Sequence, residues 1–221
     1  MKAVLFDCDG TIADSAGLIC MIMERAFRRF DLDPPSTEAT RAIIGLSLDK
    51  AVQALRPSLD EATVLEVAEG YRIEYRAERA RPDFTEALFA GMGELVRTLS
   101  QRDDVLVGMV TGKSRRGVAA LTAHHGIAEC FHAVRTADDC PSKPHPAMVL
   151  ECCGEFGIEA ERAVVVGDTT FDMEMAKAAG ARAIGVTWGS HSDELMRGAG
   201  ADEIVEDVEA LATTLDRFLA A

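Results

Sequence analysis

The 221-residue sequence predicts an α/β fold, a doubly wound parallel-sheet (Rossmann-like) core with an all-helical insertion after its first strand. Three observations carry this expectation. Short apolar runs ended by polar or glycine-containing loops alternate with helical patterns through the C-terminal part of the chain. Those runs are continuous in hydrophobicity, as strands covered on both faces are. Between Asp14 and about Phe84, by contrast, helical patterns follow one another without a convincing strand.

Ala3 to Cys8 reads as the first buried strand, closed by Asp-Gly-Thr. The insertion follows with helical patterns over Leu18 to Phe30, Glu38 to Ile44, Leu48 to Leu55 and Glu61 to Arg79, broken by Pro34-Pro35 and Arg56-Pro57. Pro82 sits near its return to the core. Further strands are expected at Val105 to Val110, Ala163 to Val166 and Ala181 to Val186. Helices are expected over Gly91 to Arg102, Arg115 to His124, Pro146 to Phe156, Asp172 to Ala179 and Val208 to Leu219, several with a glycine soon after the end as a stop signal. The division is thus residues 1–14 and 85–221 for the core and 15–84 for the insertion. No internal repeat is present.

A chain of this length buries roughly 70% of its unfolded surface. Its 48% hydrophobic and 27% charged residues are those of a globular protein. The net charge of −14 opposes nucleic-acid backbones and anionic membrane surfaces, so neither partner is expected. An anionic substrate would need a local positive site. No run is long enough for a signal peptide's apolar core or a membrane span, and the six cysteines show no CxxC pair or zinc-ligand spacing. A cytoplasmic, reducing location is the expectation, with most cysteines acting as small buried apolar residues.

Four short segments carry chemistry. In Asp7-Cys8-Asp9-Gly10-Thr11, strand alternation puts both carboxylates on one side at the carboxyl end of the first strand, where open α/β sheets place ligands. In Val110-Thr111-Gly112-Lys113, a hydroxyl and neighbouring amides at a helix start suit phosphate oxygens, although Thr there is also a common helix cap. In Ser142-Lys143-Pro144-His145-Pro146, Lys143 stands in a proline-bracketed loop as a counter-charge, with His145 a structural or rim residue. In Gly167-Asp168-Thr169-Thr170-Phe171-Asp172, Asp168 ends a strand and Asp172 lies one turn into the next helix. Magnesium takes such carboxylate oxygens, with waters and substrate oxygens completing its octahedron.

The order DCDGTIADS, VTG, SKPHP and GDTTFDM, spread from residue 7 to 173, closely resembles the haloacid dehalogenase superfamily. The insertion is similar to that family's small helical cap. The segments Leu88-Phe89-Ala90-Gly91-Met92, Lys143-Pro144-His145-Pro146 and Gly185-Val186-Thr187-Trp188-Gly189 look most like phosphoglycolate phosphatases and their near relatives.

The resemblance implies a magnesium-dependent phosphatase. Asp7 would attack phosphorus and form an aspartyl phosphate, and Asp9 would protonate the leaving oxygen and then activate water. Thr111, Gly112 and Lys143 would bind the transferring phosphate. Asp7, the Asp9 carbonyl and Asp168 would hold Mg2+, with Asp172 acting through water or by holding Lys143.

The core motifs touch only phosphate and metal, so the cap must choose the leaving group. Its loop at Gly45 to Leu48 offers Ser47 among apolar residues. Arg41, Lys50, Arg72 and Arg76 are nearby cations able to meet a short carboxylate. A small anionic ester is expected, 2-phosphoglycolate first, with pyrophosphate the nearest competitor. A dehalogenase would not need Asp9. A sugar-phosphate mutase would carry a His in the first cap helix and a cation in the cap loop, both absent here. A receiver-like signalling module of similar architecture would gain nothing from a lid or a second acid.

Overall fold

The computed structural model describes residues 1–221. Six strands, β1 (Lys2–Phe6), β2 (Val105–Thr111), β3 (Ala133–Thr136), β4 (Ala163–Gly167), β5 (Arg182–Val186) and β6 (Glu203–Val205), lie in the order β3-β2-β1-β4-β5-β6. All five neighbouring pairs are parallel. β1 is central, and Leu5 stands between Gly108 of β2 and Val165 of β4.

The pleat of β1 explains the layers on either side. Val4 and Phe6 join one apolar layer with α5 (Met92–Ser100), α6 (Arg115–His124) and α10 (Val208–Ala220). Ala3 and Leu5 join the other, with α7 (Ala147–Phe156), α8 (Thr170–Ala179) and α9 (Asp193–Gly198). Both faces of the sheet are therefore covered, which is why its strands read as unbroken apolar runs.

α1 (Ala16–Arg29), α2 (Thr37–Arg41), α3 (Leu48–Leu55) and α4 (Glu61–Arg79) follow β1 without an intervening strand. They bury a separate cluster of Met23, Ala26, Phe27, Val52, Leu55, Val64 and Val67. The two chain crossings between these helices and the sheet are joined to each other. The Asp14 amide donates to the Ala87 carbonyl at 2.9 Å, the Phe89 amide donates to the Ile12 carbonyl at 3.0 Å, and Ala13 and Leu88 form an antiparallel bridge.

The four expected strands are present, and β3 and β6 are additional. β3 is four residues containing Arg135, and β6 is three residues beginning with Glu203. Each lies at an edge of the sheet, where one side needs no strand partner and a continuous apolar run is not required. No helix is long and apolar enough to cross a membrane.

Candidate active site

The loops leaving β1, β2 and β4 converge at the carboxyl edge of the sheet. Asp7 follows β1 directly, and its amide donates to the Val166 carbonyl at 2.9 Å, so the ladder fixes its backbone. Gly10 turns the chain at φ +88°, and any side chain there would collide with the Asp168 carboxylate. Cys8 points away from the two acids into the apolar layer.

Lys143 is buried and donates from Nζ to Asp7 Oδ1 and to Asp172 Oδ1, both at 2.6 Å. Asp172 Oδ2 accepts from the Thr169 hydroxyl at 2.6 Å and from the Thr169 amide at 3.1 Å, within a capping box that starts α8. Both of its oxygens are engaged, and it holds Lys143 in place. Asp168 Oδ1 accepts from the Thr11 hydroxyl at 3.0 Å, and Oδ2 accepts from the Ser190 amide at 2.8 Å.

Asp7 Oδ2 is buried and has no hydrogen-bond partner. Loss of water raises the Asp7 pKa well above the usual carboxylate range, and Asp172 and Asp168 add to this against the opposing pull of Lys143. Burial, and then the charge of Asp172, push Asp168 up to about 7. Burial alone would lower the Lys143 pKa, but Asp172 and Asp7 outweigh it and hold the ammonium above its ordinary value.

Oxygens of Asp7, Asp168 and Asp172 lie within 4.8 Å of one another. Three carboxylates facing one ammonium, with an orphaned oxygen among them, suit a hard divalent cation. Asp7 Oδ2 has no partner and each Asp168 oxygen accepts one hydrogen bond, whereas Asp172 accepts from Lys143 and twice from Thr169.

A cavity of about 390 Å³ opens above Asp7, between the sheet edge and α1, α3, α4 and the loop before α3. Of the residues singled out in the sequence, Asp7, Asp9, Thr111, Gly112, Gly45 and Ser47 line it. The Thr111 oxygen accepts from the Lys113 amide at 3.1 Å, which leaves its hydroxyl hydrogen free to donate. Ser47 gives its hydroxyl hydrogen to Asp49 at 2.6 Å, and its amide donates to Ser142 Oγ at 2.8 Å.

Arg72 and Arg76 line the cavity, each also paired with Glu69. Arg41 lies elsewhere, donating to the Gly189 carbonyl at 3.0 Å, and Lys50 does not reach the lining. Arg79 and Arg116 line the cavity although the motifs did not single them out. The loop carbonyls of Gly45 and Leu46 press on Gly112, where an added Cβ would lie 2.5 and 2.6 Å from them. The inserted helices are thus seated on the sheet edge.

A second lysine also escaped the sequence reading. Lys113 Nζ donates to Asp9 Oδ1 at 2.7 Å and to Glu86 Oε1 at 2.8 Å, and all three side chains are almost wholly enclosed. Lys113 follows Gly112 at a helix start, and the sequence assigns it no role of its own. Its partner Glu86 lies in a segment with no motif of its own.

Residues 4–186 match the family model described as haloacid dehalogenase-like hydrolase. A Dickeya dadantii protein named "Probable phosphatase IndB" is 34% identical over 92% of this chain and 88% of its own. A phosphoglycolate phosphatase of Haemophilus influenzae is 29% identical over 97% of this chain and 98% of its own. In fold, the crystal structure of a predicted phosphatase from Clostridium acetobutylicum is similar with a TM-score of 0.86, at 24% identity and 98% coverage of both chains.

Proposed function

This chain belongs to the haloacid dehalogenase-like hydrolases and is one of their phosphatases; from that premise we propose that it hydrolyses a small anionic phosphate ester through an aspartyl phosphate on Asp7. The observation that carries this reading is the state of the Asp7 carboxylate, with one oxygen fixed by Lys143 and the other buried without a partner. A carboxylate so placed is aimed and stripped of water, as a nucleophile toward phosphorus must be.

In the first step a bond forms between an Asp7 oxygen and phosphorus while the bond from phosphorus to the ester oxygen breaks. Asp9, the second acid facing the cavity, gives the departing oxygen its proton. In the second step Asp9 takes a proton from water, the water oxygen bonds to phosphorus, and the acyl phosphate bond breaks to free Asp7 and phosphate. Thr111 and Lys143 orient the phosphoryl oxygens and offset their charge. Magnesium held by Asp7, the Asp9 carbonyl and Asp168 would supply charge stabilisation for the phosphoryl group. Residues 15–84 are assigned as a cap that excludes water and selects the leaving group.

Arg72, Arg76, Arg79 and Arg116 on the cavity wall favour an alcohol that carries a negative charge, and 2-phosphoglycolate is the first candidate. The volume of about 390 Å³ exceeds what glycolate fills, which favours larger carboxylated esters as a second reading. A panel of phosphate esters with Mg2+, including pyrophosphate and hexose phosphates, tests both. We expect kcat/KM to be highest for a carboxylated monoester and activity to vanish in excess EDTA. A hexose phosphate ranking first, or an isomerised sugar phosphate appearing as product, would overturn the substrate reading.

A further inference from the structure

We infer that Lys113 is a positioning residue for Asp9, and that through Glu86 and Tyr75 it ties the orientation of that acid to the seating of the cap. This rests on the reading of Asp9 as the proton donor and acceptor.

The site holds two lysines, and each bridges two carboxylates. Lys143 joins Asp7 to Asp172, and Lys113 joins Asp9 to Glu86. The second bridge continues into the cap. Glu86 Oε2 accepts from the Tyr75 hydroxyl at 2.9 Å, and the Lys113 ammonium lies 5.6 Å from the centre of the Tyr75 ring. Tyr75 belongs to α4 and stacks on Tyr71 in the same helix. Glu86 is anchored from the core as well, since its carbonyl meets His125 Nε2 at 2.7 Å. Lys113 therefore has two further neighbours, and Asp9 is the acid of this chain on the cavity wall, which Lys113 and Tyr75 also line.

An Asp beyond the end of a strand has several rotamers open to it. An enclosed ammonium at 2.7 Å selects one of them. Glu86 keeps that ammonium from following the phosphate, and Tyr75 keeps Glu86 turned toward it only while α4 is seated. Unseating the cap removes the Tyr75 hydroxyl, frees Glu86 and loosens Lys113, so the acid is held for proton transfer mainly when the cavity is covered. The arrangement aims a proton at the leaving oxygen, and its value depends on how much that oxygen needs one.

The test compares an alkyl ester, the best one of the panel, with 4-nitrophenyl phosphate, whose leaving group departs without a proton. In Lys113→Met, kcat/KM for the alkyl ester is expected to fall about tenfold to a hundredfold, part of what acid catalysis contributes. For 4-nitrophenyl phosphate it is expected to stay within about threefold, with a burst of one equivalent of 4-nitrophenol as misdirected Asp9 slows release of the phosphoenzyme. Lys113→Arg should restore part of the loss. Tyr75→Phe should show the same selectivity more weakly, and it decides the matter if Lys113→Met does not fold. Equal losses for both esters, or a rise in KM with kcat unchanged, would overturn the proposal. Asp9→Asn separates the two layers. If it shows the leaving-group selectivity and the Lys113 and Tyr75 variants do not, only the positioning role fails; if it keeps full alkyl-ester activity, the reading of Asp9 fails with it.

Discussion

Asp7, Asp168 and Asp172 are three carboxylates held out of water around one ammonium, and that imbalance sets how each responds to substitution. Asp7→Asn should lower phosphate release by roughly 10⁴-fold or more, since no neighbour can form the covalent bond. Its metal-free Tm should hold or rise, because one of the crowded charges is gone. Near-normal turnover in this variant would remove Asp7 from its role. Asp168 carries a pH signature. Its folded pKa of about 7 stands above the ordinary 3.8, so the folded chain holds the proton more tightly than the unfolded one. The stability this contributes is complete below about pH 4 and is lost as pH rises through 7. Metal-free melts should therefore drop between pH 4 and 7 relative to those of Asp168→Asn. Magnesium, which takes the place of the proton, should raise Tm more at pH 8 than at pH 5, and a pH-independent increment would contradict this. At this scale the sequence was legible wherever an acid ended an apolar run, as at Asp7 and Asp168. It was silent at Lys113, because Glu86 and Tyr75 lie 27 and 38 residues before it and only the folded chain assembles them.

The elements that place the site are the ends of β1, β2 and β4, and each was visible as an apolar run long enough to be covered on both faces. β3 and β6 were not, because an edge strand needs only a few residues and tolerates Arg135 or Glu203. The helix expected from Glu38 to Ile44 is shorter, as α2 stops at Arg41 and the chain turns into the loop at Gly45. That loop meets the end of β2 backbone to backbone. Gly112 there is not in the left-handed region, yet a methyl group would press on the carbonyls of Gly45 and Leu46, which cannot rotate aside as a side chain can. Gly112→Ala should leave the sheet and Tm nearly intact while lowering kcat/KM about tenfold to a hundredfold, the scale of a misplacement near 1 Å. Steady-state kinetics beside a thermal melt check this, and unchanged kcat/KM would show that the seated loop is not needed for turnover.

Across the whole molecule, two apolar layers sandwich the sheet and a third cluster serves the inserted helices alone. The run of helical patterns without a strand is legible in the sequence, as are Arg72 and Arg76 of the cavity wall, whereas Arg79 and Arg116 are not, since they come from opposite walls. The stitched crossings at Ile12–Asp14 and Ala87–Phe89 set the kinematics of any opening. Two free tethers would let the inserted body tumble and translate. Two tethers bonded to each other would restrict it to a single axis, and we expect it to swing like a door on one pin and return to the same register. Hydrogen exchange would reveal the pin: the amides of Asp14 and Phe89 should exchange as slowly as those of the sheet, while the Ser47 amide, which crosses to Ser142, should exchange at the rate of the swing and slow when a phosphate analogue is bound. Equal, fast exchange at all three amides would mean that the cap moves on two loose cords, and its precision on return would have to come from the substrate.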